Sequence, residues 1–168
     1  MALSGCVCLQ IAALAQATST QPSPDPDAEV AAIMDSILIR GEGHVGNVKT
    51  STWVPPSPED IERIREIGHD AIAPLNKALN FPRRSFQQFL AVKLLGEIGG
   101  ADVVPPLKRA LEPDKPNSVR FAALAALLSV PDDLALPIIR SALHDSDPLV
   151  ARGAKELLTD YYQLVSPK

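Results

Sequence analysis

A leucine occupies positions 79, 111 and 143, 32 residues apart each time, and its surroundings recur with it. The segments Ile72-Ala-Pro-Leu75-Asn-Lys-Ala78-Leu79, Val104-Pro-Pro-Leu107-Lys-Arg-Ala110-Leu111 and Leu136-Pro-Ile-Ile139-Arg-Ser-Ala142-Leu143 superimpose residue by residue. Within each, apolar residues return at spacings of three and four, which is a helix with one buried stripe. Pro74, Pro106 and Pro137 are expected in the first turn of that helix, where a missing N–H costs little. A fixed period of this length is the signature of an architecture built from like units.

A partner helix repeats with nearly the same step. Phe89-Leu-Ala91-Val-Lys-Leu94-Leu95 matches Phe121-Ala-Ala123-Leu-Ala-Ala126-Leu127 at 32 residues. Ile64-Arg-Glu-Ile67-Gly68 answers Leu95-Gly-Glu-Ile98-Gly99 at 31, and Val150-Ala-Arg-Gly-Ala154 stands 31 after Val119. Starts are signalled by Ser57-Pro58-Glu59-Asp60, by Ser85-x-x-Gln88 as a capping box, and by Asp147-Pro148. The unit is therefore helix A, tight turn, helix B, short loop. Pairs are expected at 57–80, 85–112 and 117–144, with a last helix at 148–162. One pair cannot hide its stripe alone, and roughly three are needed for a continuous core. Ala91, Ala123 and Ala154 fall where neighbouring A helices should approach most closely. The composition agrees: 46% hydrophobic but only 4% aromatic suits helices packed through small side chains better than a sandwich or barrel.

The segments Ser118-Val119-Arg120-Phe-Ala-Ala123-Leu-x-Ala-Leu127 and Asp145-Ser-Asp147-Pro148-Leu-Val150-Ala-Arg152 resemble HEAT repeats, in particular the short bacterial HEAT-like repeats of phycobilin-lyase subunits. The resemblance covers 57–162, about two-thirds of the chain. It implies an all-α fold, an α-solenoid of about three and a half HEAT-like hairpins. Ile61, Ile64 and Ile67 of the first A helix are flanked by charge where the family prefers alanine, as suits a capping repeat. The resemblance is nearly silent on activity, because such repeats serve as scaffolds, adaptors and chaperone-like subunits.

Ahead of the repeats the chain divides differently. Residues 1–17 are apolar or small, uncharged, and end in Ala15-Gln16-Ala17, the small-x-small pattern of an export signal. That reading places the protein outside the cytoplasm, periplasmic or extracellular. No Lys or Arg precedes Arg40, so the usual basic start is missing. Leu3-Ser4-Gly5-Cys6 resembles a lipoprotein box, but its apolar stretch follows the cysteine rather than preceding it, so a lipid anchor on Cys6 is not expected. The remaining alternative is an apolar helix packed on the fold. Seventeen residues scarcely reach a membrane-spanning length of ~17–25, and no stop-transfer signal follows. Residues 18–27, rich in Pro, Ser and Asp, read as a disordered linker. Residues 28–56 form an N-terminal flanking helix, with Val30, Ile33, Met34, Ile37 and Leu38 on one face, followed by an irregular loop or short extended stretch. The flanking helix is placed to cover the open end of the stack, and Trp53 to pack on the first repeat. Residues 163–168 are a tail.

Little chemistry is on offer. Gly41-Glu-Gly43-His-Val-Gly46 matches G-x-G-x-x-G, but it follows a helix and belongs to no βαβ unit, so it reads as a glycine loop. His44, His69 and His144 lie in separate segments without a second ligand at i+3 or i+4, so no metal is expected. His69 falls in an A–B turn and His144 at the end of a B helix. Both cysteines, Cys6 and Cys8, precede the repeats, so thiol nucleophiles and disulfides are excluded there. No strained nucleophile turn or pocket suggests an enzyme, and no cofactor is implied. A net charge of −4 gives no overall field that would recruit nucleic acid.

Removing the buried positions of the B helices leaves Asn76 and Lys77, Lys108 and Arg109, and Arg140 and Ser141, each pair 32 residues from the next. Stacking would align them on the inner, concave face, where solenoids bind. Lys77, Lys108, Arg109 and Arg140 would there meet an acidic peptide or a carboxylate-bearing protein partner, with Arg83 and Arg84 as an extension. The plainer alternative is a solvated face whose cations oppose aggregation. The leading expectation is a non-catalytic interaction module. The others are an accessory or chaperone-like subunit of a lyase-type complex, which a groove lined by aromatics would favour, and a piece of a larger assembly whose ends are interfaces. The export reading is checked by intact mass on protein from its native envelope fraction: the chain should begin at Thr18, and retention of Met1 or a lipid on Cys6 would refute it.

Overall fold

The computed structural model describes residues 25–40, 42–45, 48–51, 54–81 and 84–161. The apolar leader at 1–17, most of the linker at 18–27, Trp53, Arg83 and the tail lie outside them. Helix α1 spans Pro26–Arg40. Pro26 and Asp27, expected in the linker, are therefore helical. The Asp25 side chain accepts from the Asp27 N–H at 3.1 Å, so Asp25-Pro26 starts this helix as Asp147-Pro148 starts another.

Strands β1 (Glu42–Val45) and β2 (Val48–Ser51) pair antiparallel, His44 opposite Lys49 and Val45 opposite Val48, so of the two expectations for this segment, irregular loop or short extended stretch, the extended one holds here. Gly46 and Asn47, between the strands, lie outside the described residues. Strand β1, which holds Gly43, is followed in chain order by a second strand rather than by a helix.

The remainder is an all-helical solenoid. Helices α2 (Pro58–Ile67) and α3 (Ile72–Ala78) form the first pair, α4 (Ser85–Ile98) and α5 (Val104–Ala110) the second, and α6 (Asn117–Ala126) and α7 (Asp132–Ala142) the third. Helix α8 (Pro148–Glu156) follows and ends in a π turn, Leu157–Tyr161. Leu79, Leu111 and Leu143 each cap the C-terminus of a B helix, so the period in the sequence is a period in space. Leu75, Leu107 and Ile139 are fully buried, Ala78, Ala110 and Ala142 nearly so. Ala91, Ala123 and Ala154 are fully buried. Helices α4 and α6 approach closely at Gly96, where an added Cβ would lie 3.1 Å from Ala126 Cβ.

Local chemistry sets the turns. Gly68 (φ 59) and Gly99 (φ 66) end α2 and α4 in the left-handed region that favours glycine. Short 3₁₀ turns, Gly68–Ala71 and Ala101–Val103, then lead into α3 and α5. Helix α6 has no such glycine and unwinds through a 3₁₀ turn, Leu127–Ser129. Helix α7 starts early, at Asp132, so Pro137 lies inside it and not in its first turn. Pro137 and Asp133, whose carbonyl loses its helical donor, are both exposed, so water reaches that carbonyl. Ser57 makes the expected capping box with Asp60. Ser85 does not: it is the first helical residue of α4, and Gln88 turns inward to donate from Nε2 to the carbonyls of Leu79 and Phe81, both at 3.0 Å.

Helix α1 covers the N-terminal end of the stack, burying Val30, Met34 and Ile37. Three ion pairs accompany it, Glu29–Arg63, Asp27–Lys77 and Arg40–Asp60. Exposed pairs are worth about 0–1 kcal/mol each, whereas each buried aliphatic side chain is worth about 1.5–3 kcal/mol. Apolar burial therefore holds α1, and the ion pairs orient it.

At the other end, Arg120 Nη1 donates to Asp145, and Asn117 Nδ2 donates to Asp147 Oδ2 at 3.1 Å. The Leu149 N–H donated to the Asp147 carboxylate, together with Asn117, the Val150 N–H and the charge of Arg120, holds that carboxyl below the usual carboxylate range against the opposing pull of burial. A carboxyl depressed in the folded state adds stability that is present above its unfolded pKa of about 4 and is lost as pH falls through the folded value. Asp147→Asn keeps a competent N-cap without a titrating group. Its melting temperature, followed by calorimetry, should fall less steeply than that of the wild type between about pH 5 and about pH 2.

Candidate protein-binding site

The A helices pack on one another as one layer, α4 on α6 and α6 on α8, with α5 and α7 in a second layer. The six residues singled out above lie on the B helices but differ in their surroundings. Asn76 is half-buried, and its Oδ1 is buried without a hydrogen-bond partner. Lys77 is exposed but paired with Asp27, so α1 takes the first cation of the strip. That pairing joins residues 50 positions apart in chain order and has no counterpart in the repeat pattern. Arg84 lies over the Phe81 ring, 6.0 Å from its centroid, and does not continue the row.

Lys108, Arg109 and Arg140 remain. All three are exposed, and none has an ion-pair partner among the described residues. Lys108 and Ser141 stand at a shallow groove of about 460 Å³ between α5 and α7, lined also by Leu111, Pro137, Ile138 and one acid, Glu112. The Ser141 hydroxyl donates to the Ile138 carbonyl at 2.7 Å. This part of the strip therefore combines unpaired cations with an apolar floor.

A model of HEAT repeats matches residues 72–159. The chain belongs to the HEAT repeat family. The match begins at the first residue of α3 and omits α2, the charged helix whose departure from the pattern was visible in the sequence. No curated protein and no solved structure matches the chain. HEAT repeats generally act as protein-interaction scaffolds, and the fold is typically non-enzymatic. Among the described residues no three of His, Cys, Asp and Glu are grouped to hold a metal ion, and no helix is long and apolar enough to cross a membrane. His69, in the first A–B turn, pairs across to Asp102 of the next turn at 3.2 Å, both side chains exposed.

A second feature of this HEAT stack was not legible from spacing. Phe121, on α6, is 48% exposed although its repeat position is apolar. It lies against Gly153 of α8, where an added Cβ would come within 2.6 Å of Phe121 Cε2. With no side chain at 153 to cover it, the ring borders an apolar groove of about 310 Å³ that includes Leu124 and Leu157. Alanine is favoured over glycine by about 1 kcal/mol in a helix interior, but here the methyl must push the ring aside. Gly153→Ala should therefore stabilise a Phe121→Ala background more than the wild type, with a coupling of about 0.5–1 kcal/mol or more in urea unfolding. Equal effects in the two backgrounds would mean that the ring does not rest on Gly153.

Proposed function

We propose that this HEAT protein is a non-catalytic interaction module that binds an acidic segment of a protein partner along its B-helix face. Lys108, Arg109 and Arg140 supply the charge, and Asn76 and Ser141 the flanking polar contacts; Lys77 is already engaged by Asp27. The observation that carries this reading is the set of three exposed, unpaired cations on adjacent B helices, beside the apolar floor formed by Leu111 and Ile138. The chain carries 20 acidic residues against 16 basic ones, yet none of these three cations forms an ion pair among the described residues, and Glu112 is the one acid lining the groove beside Lys108. An acidic ligand would gain mainly in association rate and orientation, with the apolar floor adding affinity.

The test uses the full chain and a fluorescein-labelled peptide alternating glutamate with leucine. Reversal of Lys108, Arg109 and Arg140 to Glu should weaken binding by about tenfold or more and leave the melting temperature unchanged, since none of the three is buried. Binding to the wild type should fall as ionic strength rises from about 0.05 to about 0.5 M. Undiminished binding by the reversed variant would remove the B-helix strip from consideration.

A further inference from the structure

The groove beside Phe121 lies between A helices and is separate from the B-helix strip. It is lined by Phe121, Leu124, the backbone at Gly153 and Leu157, and among the described residues its charged borders are Glu156 and Asp160. Asp160 has no partner among the described residues, and Glu156 reaches only Arg152, at 3.5 Å with both side chains exposed. At about 310 Å³ the groove is at the small end of the ~300–1,000 Å³ range of ligand pockets, and it is an open trough rather than an enclosed cavity. An open apolar trough between two helices fits the side-chain anchors of a peptide better than a whole small molecule. Leu149, 51% exposed at the start of α8, extends the apolar surface beyond the trough.

We propose that this trough is a second docking site, which takes an apolar-anchored segment flanked by Lys or Arg from a protein partner. Two carboxylates at the rim of an otherwise uncharged apolar trough select cationic flanks and repel acidic ones, so the preference is opposite in sign to that of Lys108, Arg109 and Arg140. The anchor is the half-exposed Phe121 ring, which a leucine or aromatic side chain of the partner would cover. The HEAT scaffold would then hold two partners of opposite charge on its two layers of helices.

The probe is a fluorescein-labelled peptide of about twelve residues, with leucine and phenylalanine at helical spacing and lysines at both ends, compared with a twin carrying glutamates in place of the lysines. In anisotropy titrations against the full chain at about 0.15 M salt, the lysine peptide should bind at least about tenfold more tightly than its twin. Glu156→Lys with Asp160→Lys should reverse that preference, because both residues are exposed at the rim and the swap leaves the core untouched. Phe121→Ala should weaken both peptides. Replacing Lys108, Arg109 and Arg140 by Ala should leave the lysine peptide within about twofold, which separates this site from the B-helix strip. Equal binding of the two peptides, absence of binding, or a preference that survives the rim swap would overturn the proposal. So would binding that appears only after deletion of residues 162–168, which would assign the trough to the chain's own end.

Discussion

Successive A helices approach closely where glycine leaves room, at Gly96 set against Ala126 and at Gly153 set against the Phe121 ring, so α4, α6 and α8 lie closer than larger side chains there would allow. Much else follows from that separation. It brings the A–B turn of one repeat against the next: the Gly100 N–H donates to the Ser129 carbonyl at 3.0 Å, and a Cβ at Gly99 would stand 2.9 Å from the same oxygen. It also brings Leu75, Leu107 and Ile139 into one continuous core, which no single hairpin could bury. A leucine in place of Ala91, Ala123 or Ala154, all fully buried, would overpack the core at a cost of about 1–3 kcal/mol.

Apolar packing brings the layers together, but it does not by itself choose their register. Two buried polar side chains do that, and they stand 32 residues apart in equivalent places on α4 and α6. Gln88 reaches back to the carbonyls that end the first repeat, Leu79 and Phe81. Arg120 reaches forward to Asp145, which follows α7 and in turn accepts from the Asp147 N–H at 2.7 Å. Leaving a buried charge without its partner costs about 3–5 kcal/mol and a buried neutral donor about 1–3 kcal/mol, so a slip of one turn at either place is strongly opposed. The exposed pairs around α1 contribute far less each and act as guides to a helix that burial already holds.

The same physics explains which features were legible in the sequence. Positions 72, 104 and 136, 75, 107 and 139, and 78, 110 and 142 have the same burial in each repeat because a stack of like units transcribes its period directly into hydrophobic spacing. What escaped notice depends on neighbours that spacing does not encode. Gln88 was read as one half of a capping box because Ser85 stands three residues before it; its true partners are carbonyls of the previous repeat. The early start of α7 hides behind Pro131-Asp132-Asp133, which resembles a loop until the helix that needs those acids at its N-terminus is seen. The cations of the B-helix face were identifiable by subtraction, but the loss of Lys77 to Asp27 was not, since α1 lies outside the repeat. The trough beside Phe121 exists because residue 153 has no side chain, and hydrophobic periodicity counts only the side chains that are present.

The two outermost helices of the described stack differ in what they turn to solvent. Helix α1 spends its apolar face on the first repeat, and α8 turns Arg152, Lys155 and Glu156 to solvent while burying Val150, Gly153 and Ala154. A polar outer face is what a terminal element of a solenoid needs, and it makes a poor surface on which to stack another apolar layer. The two layers of helices differ along the sides of the stack. The B layer offers Lys108, Arg109 and Arg140 without carboxylate partners, and the A layer offers a half-exposed aromatic ring bordered by Glu156 and Asp160. A chain whose total charge is only −4 thus exposes cations on one layer and carboxylates on the other, with a core rich in buried alanine and leucine between them, and on the proposed reading each surface would meet a partner of the opposite charge.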